Sequence, residues 1–163
     1  MSNIVSCLWF DHEAEDAAKF YVSIFKNSKM GDVIRYGKEG FEIHGKPAGS
    51  VLTVKFRANG MDFVALNGGP TFKFNEAVSF QVMCKTQEEI DDYWEKLTAG
   101  GDPKSQQCGW LKDKFGLSWQ VVPEVLSQFL RDKDAAKSGR VMSALLQMKK
   151  LDIATFERAY RGE

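Results

Sequence analysis

The sequence predicts an α+β fold in which two βαβββ modules form a curved mixed sheet around a cavity, with helices outside. Three observations favour this fold: strand-like and helix-like segments alternate along the chain, the two halves of that region repeat each other, and only helical patterns follow. A single module cannot cover both faces of its sheet, so two modules must share one core. We expect one domain, with module one at residues 1–70, module two at 76–123 and a C-terminal helical extension at 124–163.

Module one begins with a β-like run, IVSCLWF at residues 4–10, which leads into a helical pattern at 13–25. A further strand is predicted at 32–36, where DVIRY follows a break at Asn27-Ser28. The apolar residues of the helical pattern have the spacing of one helix face: Ala17, Phe20, Tyr21, Ile24 and Phe25.

Two more strands surround Asn59-Gly60, because both residues of this dipeptide tolerate the positive φ angles of a tight hairpin turn. The segment GKEGFEIHGKPAGS at residues 37–50 is polar and rich in turn-forming residues. We therefore predict a loop between the second strand and the hairpin.

The second half of the chain begins as the first half does. Without gaps, VSCLWFDHEAEDAAKFYVSI from Val5 aligns with VSFQVMCKTQEEIDDYWEKL from Val78. Gly116 then precedes LSWQVV as Gly60 precedes MDFVAL. The repeat predicts the order β-α-β-β-β in each half.

Beyond Pro123 the pattern is helical. Val141, Leu145 and Met148 follow one another at the spacing of a helix face, and Asp152 is a candidate N-cap for a last helix. The apolar stripe predicts helices that pack on one another, and burial of part of it against a second subunit is the alternative.

The composition argues against several classes of partner. The chain has 22 basic and 22 acidic side chains, so charge gives no reason to expect nucleic acid or an anionic membrane surface. No segment reaches the roughly 20 apolar residues that span a bilayer, and no secretion signal is apparent. Three cysteines without CxxC spacing predict reduced thiols rather than disulfides or zinc. We expect a cytoplasmic protein with a small-molecule ligand.

Four motifs resemble those of a known family. They are ALNGGP (65–70), FKFNEAVSFQV (72–82), CGWLKDKFGLSWQVVP (108–123) and MKKLDI (148–153). Together with the repeated βαβββ order, they are similar to the PhnB-like, 3-demethylubiquinone-9 3-methyltransferase-like branch of the vicinal oxygen chelate superfamily. The resemblance covers nearly the whole chain and implies the glyoxalase/bleomycin resistance fold. It does not imply one activity, because the superfamily includes isomerases, dioxygenases and resistance proteins.

Enzymes of this superfamily commonly hold one divalent metal, with His or Glu ligands on the first and last strands of each module. Counting from the aromatic pairs of the helices and from the turn glycines places Ser6, Val64, Ser79 and Gln120 at those positions. Hydroxyl and amide oxygens are weak ligands and valine is none. We predict that the protein holds neither the usual metal nor another cofactor.

Hydrogen bonds are the predicted means of binding. In this hypothesis Ser6, Ser79 and Gln120 form a polar floor inside an apolar pocket, and the alternative is that they only satisfy one another. Strand alternation turns Leu8, Phe10, Leu66, Gln81, Met83 and Ser118 toward the same side. The predicted ligand-binding residues are Ser6, Leu8, Val64, Leu66, Ser79, Gln81 and Gln120, and no catalytic residue is assigned.

Other polar residues are weaker candidates. His44 in the loop could act from a lid, and Glu76 between the modules could act as a base at the cavity mouth. We expect His12 to have a surface or packing role, Cys108 to be an inert thiol and Asn67 to cap the NGGP turn.

Three functions remain open. The first is a metal-independent small-molecule binding protein, and the second is an enzyme acting on a small aromatic or carbonyl compound as a lyase, dioxygenase or methyltransferase. The third is a dimeric structural or regulatory module with a vestigial cavity. Methyl transfer is disfavoured, because the turn after the first strand reads FDHEAED and lacks the glycines of a Rossmann-type cofactor turn. We expect a homodimer, in which pairing covers strand edges and part of the C-terminal stripe.

Overall fold

The computed structural model describes residues 4–163. The chain divides into two compact units, Met1–Phe74 and Asn75–Glu163. The boundary falls in the segment between the two predicted modules. Within the described residues, no helix is long and apolar enough to cross a membrane.

The first unit contains a four-stranded sheet of order β1-β4-β3-β2. Its elements are β1 Ser6–Phe10, α1 Ala14–Ile24, β2 Lys29–Arg35, α2 Phe41–His44, β3 Val51–Ala58 and β4 Met61–Asn67. β1 and β4 are parallel, and the other pairs are antiparallel. The predicted βαβββ order is confirmed here, and the loop at 37–50 contains the short helix α2.

Helix α1 covers one face of the first sheet. Tyr21 of α1 stacks on Phe56 of β3, with ring centroids 5.9 Å apart, and Phe56 stacks on Phe63 of β4 at 5.1 Å. Ala17 and Ala18 are fully buried, which lets the helix approach the strands closely. We call the opposite side of this sheet its distal face.

The second unit contains a smaller sheet of order β5-β7-β6. Its elements are β5 Phe80–Cys84, α3 Gln87–Thr98, a 3-10 helix at Pro103–Ser105, β6 Trp110–Lys112 and β7 Ser118–Pro123. β5 pairs with β7 in parallel, and β6 pairs with β7 in antiparallel. All residues of this unit are described, and they form three strands, so the predicted four-stranded order is wrong in this half.

The missing strand has a local cause in the sequence GGDP. A Cβ at Gly101 would lie 2.1 Å from the carbonyl oxygen of Lys112, so the chain turns tightly against β6 at this glycine. Asp102 then caps the 3-10 helix by accepting a hydrogen bond from the Lys104 amide. Pro103 has no N–H for a sheet ladder and fixes φ near its helical value. These residues favour a helical turn where module one has β2.

A buried carboxylate shapes the turn that enters β7. Asp113 accepts hydrogen bonds from the amides of Phe115 and Leu117 at 2.9 and 3.1 Å, and from the indole of Trp119 at 2.8 Å. Gly116 completes the turn at φ +83°, where a side chain would be strained. The DKFGLSW motif therefore fixes the start and register of β7.

The C-terminal extension folds as three helices, α4 Leu126–Leu130, α5 Ala135–Leu146 and α6 Ile153–Arg161. Its core consists of Leu126, Val141, Leu151 and Phe156, with Leu145 and Met148 packed against them. The predicted packing role of the apolar stripe is confirmed. Asp152 is the N-cap of α6, as predicted, because its side chain accepts a 2.6 Å hydrogen bond from Thr155 N–H.

Two backbone hydrogen bonds attach the extension to the loop before β6. The amides of Cys108 and Gly109 donate to the carbonyls of Met148 and Lys149, both at 2.8 Å. Cys108 adopts a positive φ of 52° in this turn. These contacts place Cys108 next to the extension, and its role as an inert thiol stays a prediction.

Candidate functional site

The side of the second sheet turned away from α3 carries a cluster of polar side chains. Val82, Leu111 and Val121 are buried on the α3 side. Because side chains alternate along a strand and paired residues share a face, their neighbours lie on the opposite side. We call this the polar face, and its residues are Gln81, Met83, Trp110, Lys112, Ser118, Gln120 and Val122, with Ser79 just before β5.

Gln120 lies at the centre of a hydrogen-bond network on the polar face. Its Nε2 donates to the Ser79 hydroxyl at 2.9 Å, and its Oε1 accepts from Gln81 Nε2 at 3.2 Å. The sheet register accounts for this grouping, because Gln81 and Gln120 are direct partners in the β5-β7 pair. Of the predicted binding residues, the structure thus brings these three together.

Ser118 lies two residues before Gln120 on the same face. Its side chain is almost completely buried, at 1% exposure, and its hydroxyl finds no hydrogen-bond partner in the described part of the chain. A buried polar group without a partner costs about 1–3 kcal/mol. A bound polar atom would recover that cost. Strand alternation in the sequence also predicts that Ser118 lies on this side of the sheet.

The charges at the edge of the polar face neutralise each other. Lys112 Nζ forms an ion pair with the Glu76 carboxylate. This hydrogen bond lowers the pKa of Glu76 below its ordinary value. A carboxylate with a lowered pKa is a poor base near neutral pH, which argues against Glu76 as a base at the cavity mouth.

The first sheet does not place the predicted residues on one side. Ser6 pairs with Phe63 and Leu8 with Ala65, so Ser6 and Leu8 lie on the α1 side. Phe10 lies on that side as well. Val64 and Leu66 pair instead with Cys7 and Trp9 on the distal face. The prediction that Ser6, Leu8, Val64 and Leu66 share a lining is therefore wrong.

The cause of this error is a one-residue difference in phase. Positions on β1 were counted from α1 and positions on β4 from Gly60, and a one-residue shift moves every side chain of a strand to the other face. Cys7 and Trp9 were missed for this reason. The burial of Leu8 and Phe10 against α1, which their apolar alternation in SCLWF indicates, is the signal that could have found them.

Val64 lines a pocket of about 350 Å³ on the distal face of the first sheet. Strand pairing aligns Lys29 with Arg57, Arg57 with Asp62, and Lys55 with Val64. The pocket lining includes Val5, Lys29, Gly31, Lys55, Arg57, Asp62 and Val64. The charged residues of this lining come together only through the pairing of three strands, which no local sequence pattern indicates.

The loop at 37–50 is fastened to the end of the first sheet. The Tyr36 hydroxyl donates to the Asn67 carbonyl at 2.7 Å, and the His44 ring lies 4.6 Å from the Tyr36 ring. His44 Nδ1 accepts from the Lys46 amide at 2.9 Å. These contacts give His44 a role in holding the loop, and they do not place it against the polar groups of a reaction centre.

Asn67 and His12 border a second, polar cavity of about 510 Å³ in the first unit. Asn67 Oδ1 accepts from the Ala14 amide at 2.8 Å, and its Nδ2 donates to the Val51 carbonyl at 3.1 Å. Its side chain therefore caps the start of α1 rather than the NGGP turn, which corrects the prediction. His12 is largely exposed beside Asp11.

The residues at the four family metal positions do not fit a divalent cation. Both amide atoms of Gln120 are engaged with neutral partners, Val64 offers no donor atom, and Ser6 faces α1. Within residues 4–163, no group of three or more His, Cys, Asp and Glu side chains is placed to hold a metal.

A family model described as 3-demethylubiquinone-9 3-methyltransferase matches residues 2–122. The chain belongs to this family. It is the PhnB-like branch of the vicinal oxygen chelate superfamily, and the predicted α+β fold of the glyoxalase/bleomycin resistance type is confirmed. No curated protein matches the chain.

Solved structures of the superfamily are similar to this PhnB-like chain. A putative 3-demethylubiquinone-9 3-methyltransferase, PhnB protein, from Bacillus cereus is 34% identical, with 75% of this chain and 99% of that chain covered and a TM-score of 0.62. Protein PA1353 from Pseudomonas aeruginosa is 17% identical, with coverages of 76% and 98% and a TM-score of 0.56. The fosfomycin resistance protein FosX from Mesorhizobium loti is 10% identical, with coverages of 80% and 98% and a TM-score of 0.54. The last two likenesses concern the fold alone.

The C-terminal extension lies outside the family match. The family model ends at residue 122, just before the end of β7. The MKKLDI motif at 148–153 is therefore not among the residues that establish membership. The helices α4, α5 and α6 are an addition of this chain to the matched region.

Proposed function

We propose that this protein binds a small, mostly apolar molecule at the polar face of the second sheet, without the divalent metal usual in its superfamily. The observation that carries the proposal is the Ser118 hydroxyl, which is buried beside the Gln120 network and lacks a partner in the described part of the chain. A hydrogen bond to a ligand would satisfy this buried hydroxyl.

The chemistry of the face defines the kind of ligand. Trp110 and Met83 supply apolar surface next to Gln120, and the Lys112–Glu76 pair leaves no net charge there. The ligand is therefore uncharged, with an apolar body and one carbonyl or hydroxyl oxygen that reaches Ser118 when the side chains covering its hydroxyl move aside. Apolar contacts supply most of the binding free energy, and the polar groups orient the molecule.

The test is a titration of the protein with small neutral fragments, followed in amide NMR spectra that include glutamine side chains. Fragments that bind should shift the side-chain amides of Gln81 and Gln120 and the backbone amide of Ser118. The side-chain amide of Gln128, an exposed residue of the same unit, is the internal control. The proposal fails when no fragment binds or when shifts occur only away from the polar face.

We further propose that the protein acts in the cytoplasm as a homodimer. The cysteines Cys7, Cys84 and Cys108 are all free thiols, which suits a reducing compartment. β2 is an edge strand of the first sheet and exposes Val33 and Ile34, at 39% and 52% exposure. Edge strands with apolar side chains are commonly covered by a partner, and a second copy of the chain is the simplest one.

A further inference from the structure

The pocket on the distal face of the first sheet contains an excess of positive charge. Lys29, Lys55 and Arg57 line it together with one acid, Asp62. Strand pairing aligns Lys29 with Arg57 and Arg57 with Asp62, so these side chains lie across three neighbouring strands on one face. We call this site the basic pocket.

Asp62, the one acid among the residues that line the basic pocket, is paired with Arg57. The guanidinium donates two hydrogen bonds to the Asp62 carboxylate, at 2.7 and 2.9 Å. This pairing, with a smaller contribution from the charge of Lys29, lowers the pKa of Asp62 and keeps it ionised. The Arg57–Asp62 pair is therefore neutral, and the pocket lining contains two further positive charges, Lys29 and Lys55.

The two lysines are only weakly compensated. Lys55 Nζ lies 3.8 Å from the Asp32 carboxylate, whose side chain is 83% exposed, and such surface ion pairs contribute little. Lys29 forms no ion pair with a carboxylate of the described residues. A ligand that brings a negative charge would find two ammonium groups with few competing partners.

The rest of the pocket is suited to an apolar group. Val5 and Val64 contribute side chains, and the volume of about 350 Å³ lies in the range of small-molecule sites. At Gly31, a Cβ would lie 3.0 Å from the Lys55 carbonyl oxygen, so the absence of a side chain lets β2 approach β3 closely beside the pocket. The site thus combines an apolar wall with a cationic rim.

We propose that the basic pocket binds a small carboxylate with an apolar tail. The carboxylate lies between Lys29 and Lys55, and the tail lies against Val5 and Val64. All residues that line the basic pocket belong to the first unit, whereas the polar face belongs to the second.

Three eight-carbon compounds with different head groups test this proposal on the full chain: octanoate, octanol and octylammonium. Octanoate should cause saturable shifts in the backbone amides of residues 55–57 and 62–64 in NMR titrations. Octanol should bind at least several-fold more weakly, and octylammonium should cause no saturable shift, because like charges repel. Added salt should weaken octanoate binding, as expected for an exposed charge contact.

Variants of the two lysines give the decisive comparison. Lys29→Gln combined with Lys55→Gln should weaken octanoate binding by roughly tenfold, because each lost charge contact removes part of the binding free energy. The single variants serve the same purpose where the double variant does not fold. Lys38→Gln changes an exposed lysine outside the pocket and should leave the affinity unchanged.

Several results would overturn the basic pocket as a carboxylate site. They are absence of octanoate binding, equal binding of octanol, shifts confined to other residues, or full affinity in the lysine variants. Gln120→Leu should not alter octanoate affinity, because Gln120 belongs to the polar face. Absence of binding at the basic pocket would therefore not decide whether a ligand binds at the polar face.

Discussion

The Gln120 side-chain amide donates a 2.9 Å hydrogen bond to the Ser79 hydroxyl, across the two parallel strands of the second sheet. Its carbonyl oxygen accepts from Gln81 at 3.2 Å. Where the superfamily commonly has a metal ligand, this chain has an amide whose two polar atoms bind neutral neighbours. These two hydrogen bonds disfavour Gln120 as a ligand of a divalent metal.

Replacement of Gln120 by leucine should destabilise the protein. Gln120→Leu removes two hydrogen bonds and leaves Ser79 and Gln81 without these partners, so the free energy of unfolding should fall by about 0.5–1.5 kcal/mol. Urea unfolding measures this change. Gln128→Leu, at an exposed glutamine of α4, is the matched control and should have little effect. Equal stability of Gln120→Leu and Gln128→Leu would show that the hydrogen bonds of Gln120 do not stabilise the fold.

The purified protein should contain well under one equivalent of zinc, nickel, iron or manganese. Ser6, Val64, Ser79 and Gln120 provide neither carboxylate nor imidazole, and a divalent ion would lose more hydration than these groups return. Elemental mass spectrometry of protein prepared without chelator checks this. A stoichiometric metal would contradict the assignment of these four positions.

The protein should not bind S-adenosylmethionine. β1 leads into α1 through Asp11, His12 and Glu13, and this turn lacks the glycines that let a backbone approach a nucleotide cofactor. Calorimetric titration up to roughly a millimolar should show no saturation. Micromolar binding would contradict this prediction and support the methyltransferase activity that the family description names.

The protein should sediment as a dimer, with twice the 18.4 kDa mass of one chain. Ile34→Asp places a charge on the exposed edge strand β2 and should shift the equilibrium toward monomer without loss of fold, because edge charges oppose strand pairing. Sedimentation velocity at several concentrations measures both. A wild-type monomer at tens of micromolar would contradict the proposed dimer, and a dimer unaffected by Ile34→Asp would place the interface elsewhere.

Local signals in the sequence predicted most of the secondary structure. The ungapped repeat placed α1 and α3 in register, since Ala14 and Gln87 begin these helices at equivalent positions. Asn59-Gly60 formed the expected turn between β3 and β4, and Asp152 formed the expected cap. These features depend on a few neighbouring residues, which is why sequence patterns alone identify them.

The site was harder to predict because it depends on register between distant strands. Gln81 and Gln120 were both identified, but Ser6 and Leu8 lie on the opposite face from Val64 and Leu66. Whether two strands are in phase is decided by the path of the chain between them, which no local pattern contains. The absence of a fourth strand in module two is a different case, because a local signal for it exists. Gly101, Asp102 and Pro103 favour a turn, but the repeat with module one predicts a strand there.

The Ser118→Ala variant tests the central claim most directly. Its unfolding midpoint is measured alone and with a fragment that shifts the Gln120 side-chain amide. Removal of an unpaired buried hydroxyl should leave the free protein as stable as the wild type or up to about 1 kcal/mol more stable, while most of the ligand-induced stabilisation is lost. A less stable free protein that keeps the full stabilisation by the fragment would show that Ser118 serves the fold and not a ligand.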